Sequence, residues 1–256
     1  MIQLGTLGLA WAITASAFAE EHLTVEAENP TLDQDVVPLV SDATRRAGDV
    51  AAVWGALRAP TRVVIVSNID SLEIRAHAEG SDWLQGVAAY DVIWLLSPHQ
   101  MSAAHQIPSL RYLTTLLTHE LTHCVMQQAS GSKDDYQSRG FPFWFTEGMA
   151  TNTSGEAAAL SREALAAELS RRLTADPMHD GRALAHGEPN LAYSSAFWAF
   201  SLLSTRGRAP VLQVLAAMRA GLGFPQAFAT VYGESLEDFD GKILTALRRN
   251  TPLPSR

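Results

Sequence analysis

From Leu110 onward, apolar residues return at every third or fourth position: Leu110, Leu113, Leu117, Leu121 and Cys124 fall on one stripe, which predicts a helix. Pro108 suits a helix start, and no Gly or Pro follows until Gly131, so this helix is expected to run unbroken between them. Leu116, Val125 and Met126 lie off the stripe, and a helix apolar on several sides is expected to be buried on most of them.

Two other runs have strand character. Thr61-Arg62-Val63-Val64-Ile65-Val66 is β-branched nearly throughout, and Val87 to Leu96 is a second apolar run closed by Ser97-Pro98, read as one strand. Leu23 to Asn29 alternates weakly, as a short strand or an unstructured lead-in. Asp33 to Leu57 has helical composition, with Val36, Val37, Val40, Val50, Val53 and Trp54 as apolar candidates, and Ser71 to Ala78 reads as a short helix. Beyond a polar loop at Gly131 to Asp135 and an aromatic block at Phe141 to Ala150, helices are expected over Glu156 to Leu173, Ala192 to Leu203, Pro210 to Ala220 and Leu236 to Arg249. The pattern is that of an α+β fold. A small N-terminal sheet with helices (about residues 20–130) precedes a mostly helical half (131–256), with the helix after Pro108 between them, in a single domain over residues 20–256.

Composition narrows the function classes. The net charge is -8, the lysines are Lys133 and Lys242, and the arginines form no dense cluster, which argues against a nucleic-acid partner. Residues 1–19 have the form of a secretory signal: an apolar run from Leu4 to Ile13, then Ala17-Phe18-Ala19 before Glu20-Glu21. Cleavage is expected after Ala19, placing the mature chain in the periplasm or outside the cell with no membrane span. No Lys or Arg precedes the apolar run, so an uncleaved N-terminal anchor is the competing expectation. Cys124 is the sole cysteine, so no intrachain disulfide forms, and it reads as a buried structural thiol.

The chemistry centres on His119-Glu120-Leu121-Thr122-His123. Histidines at i and i+4 of one helix project the same way and can grip one metal ion, and the glutamate between them then lies beside the position of an attacking water. A hydrolytic zinc site takes three protein ligands and leaves a fourth position open. A metzincin would place Gly at 126 and His at 129, where this chain has Met126 and Ala129. Asp134, Asp135, His179 and His186 are candidates for the third ligand, the first two in a loop that also reads as a solvated turn. Glu147 stands apart from them, because a charge beside Phe143, Trp144 and Phe145 is costly unless paired or ligated.

His119-Glu120-x-x-His123 followed by Trp144-Phe145-Thr146-Glu147-Gly148-Met149-Ala150 resembles the gluzincin metallopeptidases, in particular the peptidase MA-like group with its Trp-x-x-Glu-Gly-x-Ala segment. The likeness spans roughly residues 60–245 and includes Gly86-Val87-Ala88, Ala192 to Phe197 and Gly233 to Phe239. It implies a zincin-like fold, one Zn2+ held by His119, His123 and Glu147, Glu120 as general base, and an edge strand beside the cleft, for which Val87 to Leu96 is the candidate. The substrate it implies is a peptide or protein. Tyr193, on a helix after the ligand glutamate, is the first candidate for an oxyanion donor, with Tyr136 and His186 behind it. Two departures mark this chain: it has no Gly-x-Met-Glu-Asn motif, and Thr151 stands where thermolysin-like enzymes carry a supporting aspartate. A zinc-dependent hydrolase of another amide and a noncatalytic zinc-bound scaffold are the alternative readings.

Overall fold

The computed structural model describes residues 22–76, 84–102, 106–172 and 174–250. The expected leader lies outside them. Contacts divide the chain into two compact units that meet in sequence at Ala129–Ser130.

The first unit contains β1 (Leu23–Ala27), α1 (Pro30–Asp33), α2 (Val37–Ala51), β2 (Thr61–Val66), α3 (Ile69–Ala76), β3 (Gly86–Ala89), β4 (Val92–Leu96) and α4 (Leu110–Ser130). Its sheet has the order β1-β2-β4-β3, with β1, β2 and β4 parallel and β3 antiparallel to β4. The run from Val87 to Leu96 is therefore two strands of a hairpin and not one strand. Tyr90 takes a left-handed conformation (φ 54°) and Asp91 follows it, so the chain reverses where the apolar pattern continues. The edge position falls to Gly86–Ala89, while Val92–Leu96 lies between β2 and β3.

In α2 the buried positions are Val40, Ala43, Thr44, Ala47 and Ala51, at helical spacing, whereas Val50 and Val53 are exposed. Small alanines let a helix approach its neighbours closely, which is why the buried face follows them and not the bulkier valines. A buried carboxylate ties the strand ends together: Asp33 accepts hydrogen bonds from Ser67 Oγ (2.6 Å) and Ser97 Oγ (2.5 Å), just past β2 and β4.

The second unit contains a 3-10 turn (Tyr136–Arg139) and seven helices among its described residues: α5 (Phe143–Ser154), α6 (Arg162–Arg171), α7 (Pro177–Gly187), α8 (Pro189–Ser204), α9 (Arg208–Arg219), α10 (Phe224–Tyr232) and α11 (Leu236–Arg249). The helix expected from Glu156 begins only at Arg162, where the Ser161 hydroxyl caps it by accepting from Ala164 N; Leu173 lies outside the described residues. α7 and α10, unassigned from sequence, both start on or next to a proline, Pro177 and Pro225, with Asp176 capping the former. The core is aromatic: Trp144, Phe145, Phe200, Phe224, Phe228 and Phe239 are each nearly or wholly inaccessible. Among the described residues no helix is long and apolar enough to cross a membrane.

Candidate metal centre

Helix α4 carries His119, Glu120 and His123. Leu113, Leu117, Leu121 and Cys124 are fully buried as the stripe predicts, and Val125 and Met126 are buried as well. Thr114, Thr118 and Thr122 each donate their hydroxyl to the carbonyl four residues back, satisfying these polar groups within the helix. The C-terminal turn is fastened by amides. Gln128 is wholly buried; its Oε1 accepts from the backbone N–H groups of Arg58 (2.6 Å) and Ala59 (3.0 Å), and its Nε2 donates to Thr61 Oγ1 (3.0 Å) and Tyr90 O (2.7 Å). Gln127 Oε1 accepts from Tyr90 N (2.5 Å). The sequence reading overlooked both glutamines, since only a tertiary partner gives a buried amide its purpose.

The imidazoles of His119 and His123 meet edge to face, with ring centroids 4.9 Å apart, and both side chains are half-buried. Glu120 is more deeply placed, at 6% exposure. Its carboxylate rests against Gly86, where an added Cβ would stand 3.2 Å from both Cγ and Oε1.

Glu147 projects from α5, whose first residues are the aromatic block. Phe145 stacks edge-on against Phe224 and Phe200, and Trp144 packs beside Phe239. Gly148 permits the closest approach in the unit: a Cβ there would overlap the carbonyl oxygen of Ala196 and stand 2.6 Å from Phe200 Cβ. Asn152 then bridges the two helices, its Nδ2 donating to Gly148 O (2.8 Å) and Phe197 O (3.0 Å) while Oδ1 accepts from Ser201 Oγ (2.7 Å).

His119, His123 and Glu147 each offer a ligand atom, and these atoms all lie within 4.8 Å of one another. Two imidazole nitrogens and a carboxylate oxygen form the donor set of a catalytic zinc site, in which bonds of about 2.0–2.2 Å put ligand atoms roughly 3.3 Å apart. The three residues have the number and chemistry to hold a metal ion and stand close enough together to do so.

The other candidates lie in different surroundings. Asp134 is exposed, and Asp135 accepts from Ser132 N (2.9 Å) and pairs with Arg139 (2.9 Å), contacts that hold its carboxyl below the usual range against the opposing effect of burial. His179 and His186 are exposed on α7. Tyr136 is half-buried in the 3-10 turn. Tyr193, on α8, sets its ring edge-on to Phe143 at 5.4 Å, and Phe143 lies one helical turn before Glu147 on α5. Thr151 folds back on its own helix, donating to Glu147 O (2.8 Å) and Gly148 O (3.3 Å). Cys124 is fully buried, and burial, followed by the charges of Glu120 and Asp91, pushes its thiol well above the ordinary range. A thiol so disfavoured as a thiolate is a packing group.

A cleft of about 1150 Å³ lies in the second unit, lined by Asp176, His179, Pro225, Leu236, Asp240 and Lys242 among others, and includes none of the three clustered residues or Glu120. In its wall, burial raises the Asp240 carboxyl to about 7, with Asp176 adding to the rise; the Trp144 indole opposes it, although the pair falls short of full hydrogen-bond geometry. Compared with known proteins, the chain matches no protein-family model and no curated protein sequence.

Proposed function

We propose that the protein is an exported zinc metallopeptidase of the gluzincin type, with a zincin-like fold, in which His119, His123 and Glu147 hold the ion. The observation that carries this reading is the clustering of those three ligand atoms within 4.8 Å, with a buried glutamate between the two histidines in sequence. A site built only for structure has no need of Glu120; a hydrolytic one does.

A zinc ion held by His119, His123 and Glu147 would supply Lewis acidity to a bound water and to the scissile carbonyl, with the water's pKa brought toward about 7. Glu120 takes the proton of the attacking water on a carboxylate oxygen and delivers it to the amine nitrogen as the C–N bond breaks. Low exposure keeps bulk water from competing for that proton. The Tyr193 hydroxyl donates to the oxygen that becomes negative, and the Phe143 ring restrains the Tyr193 ring from one side.

Glu120→Gln tests the assignment, since glutamine keeps the size of the side chain but cannot accept the proton. The variant should fold, retain one zinc per chain by elemental analysis, and lose peptide hydrolysis by on the order of 10²–10⁴-fold in a peptide-library digest run with and without chelator. Near-normal turnover with zinc bound would assign the base elsewhere. Absence of hydrolysis by the wild type across a broad library would overturn the peptidase reading.

A further inference from the structure

Strands disfavour glycine, which packs nothing and costs backbone entropy, so a buried glycine at a paired strand position calls for a local cause. Gly86 opens β3, is buried, and pairs with Leu95 of β4. Its φ is outside the left-handed region, so any residue could adopt its backbone conformation. The cause is space. A Cβ at Gly86 would meet Glu120 Cγ and Oε1 at 3.2 Å and Cδ at 3.3 Å, all inside the roughly 3.5–4.0 Å of ordinary carbon contact. The end of the Glu120 side chain thus occupies the space beside Gly86 that a Cβ would crowd.

We propose that Gly86 is a positioning residue for Glu120: the space left by its missing side chain is the seat of the Glu120 carboxylate, so β3 sets where that carboxylate takes and gives up its proton. The inference rests on the peptidase reading for the role of Glu120, while the seat itself is a matter of packing. Gly86 is paired with Leu95 of β4, and the contacts of an added methyl are all with the flexible end of the Glu120 side chain, the partner that yields most readily. Glu120 must therefore move instead, by a few tenths of an ångström. Proton transfer works over heavy-atom distances of about 2.6–3.2 Å and is sensitive to displacements of that size.

Gly86→Ala should lower kcat about tenfold with KM changed by less than about twofold, and zinc stoichiometry should stay unchanged. A melting cycle provides a readout independent of turnover. Gly86→Ala should lower Tm by about 2–4 °C in the wild-type background, and should leave it unchanged or raise it in a Glu120→Ala background, where the seat is vacant. Equal shifts in both backgrounds, or a kcat unaffected by Gly86→Ala, would overturn the proposal. Should Gly86→Ala alone fail to fold, the double variant folds if Glu120 is the obstacle, and its failure as well overturns the seat. A wild type that hydrolyses no peptide removes the catalytic half together with the peptidase reading, whereas unequal melting shifts would still establish the seat.

Discussion

Helices α4 and α5 both carry ligand candidates, yet they are fastened by opposite means. The last turn of α4 is held by Gln127 and Gln128, whose amides engage the backbone of Arg58, Ala59 and Tyr90 and the hydroxyl of Thr61. The first half of α5 is held by shape, with Trp144 and Phe145 among rings and Gly148 against the carbonyl of Ala196. Hydrogen bonds are directional and fix a helix in height and rotation; close packing tolerates small rotations but no added volume. The two helices should accordingly fail to different kinds of substitution.

The largest effect is expected at Gly148. Gly148→Ala places a methyl on backbone that cannot yield, and should destabilise the protein by about 4 kcal/mol or more in urea unfolding. A loss below about 1 kcal/mol would mean that α5 is less tightly packed than α4 is bonded. Gln128→Met comes next: it keeps the volume but removes the acceptor of two backbone N–H groups and the donor to Tyr90 O and Thr61 Oγ1, at a cost of about 3 kcal/mol. If the cost is instead a few tenths, packing holds α4 too, and the contrast collapses.

Asp240 sharpens the comparison, because its carboxyl is partly buried beside Trp144 of the aromatic fastening. Its folded pKa of about 7 exceeds the unfolded 3.8, so between those values the folded chain binds the extra proton. The contribution is fully present below pH 3.8 and is lost as pH rises through about 7. Asp240→Asn should therefore stabilise the protein at pH 8, by on the order of 2 kcal/mol, and flatten the decline of Tm between about pH 4 and 7. An unchanged Tm profile from pH 5 to 8 would show that Asp240 ionises freely.

What was legible in the sequence follows the same division. The course of α4 could be read from Pro108, the leucine stripe and Gly131, because local pattern and burial agree there. The three clustered side chains were visible as an i, i+4 histidine pair and a carboxylate stranded among rings. The hairpin was hidden because Tyr90-Asp91 carries none of the usual glycine or asparagine turn signals and the apolar run continues through it. α7 was hidden in a stretch whose proline and glycine read as loop, although Pro177 opens the helix and Gly187 closes it. Gly86 and Gln128 were silent for a deeper reason. Each acquires its role from a residue more than thirty positions away, Glu120 for the first and Arg58, Thr61 and Tyr90 for the second.

Cys124 offers an experimental handle of a different kind. The chain has one sulfhydryl, and it sits wholly inside, one residue past His123. An alkylating reagent can reach it only when the structure around α4 opens, so mass accumulates in proportion to the open population, or at the rate of opening where alkylation outpaces reclosing, with no competing thiol to correct for. The native protein thus contains its own clock for the excursions of the helix that bears both histidines, readable in intact-mass spectra without any introduced label.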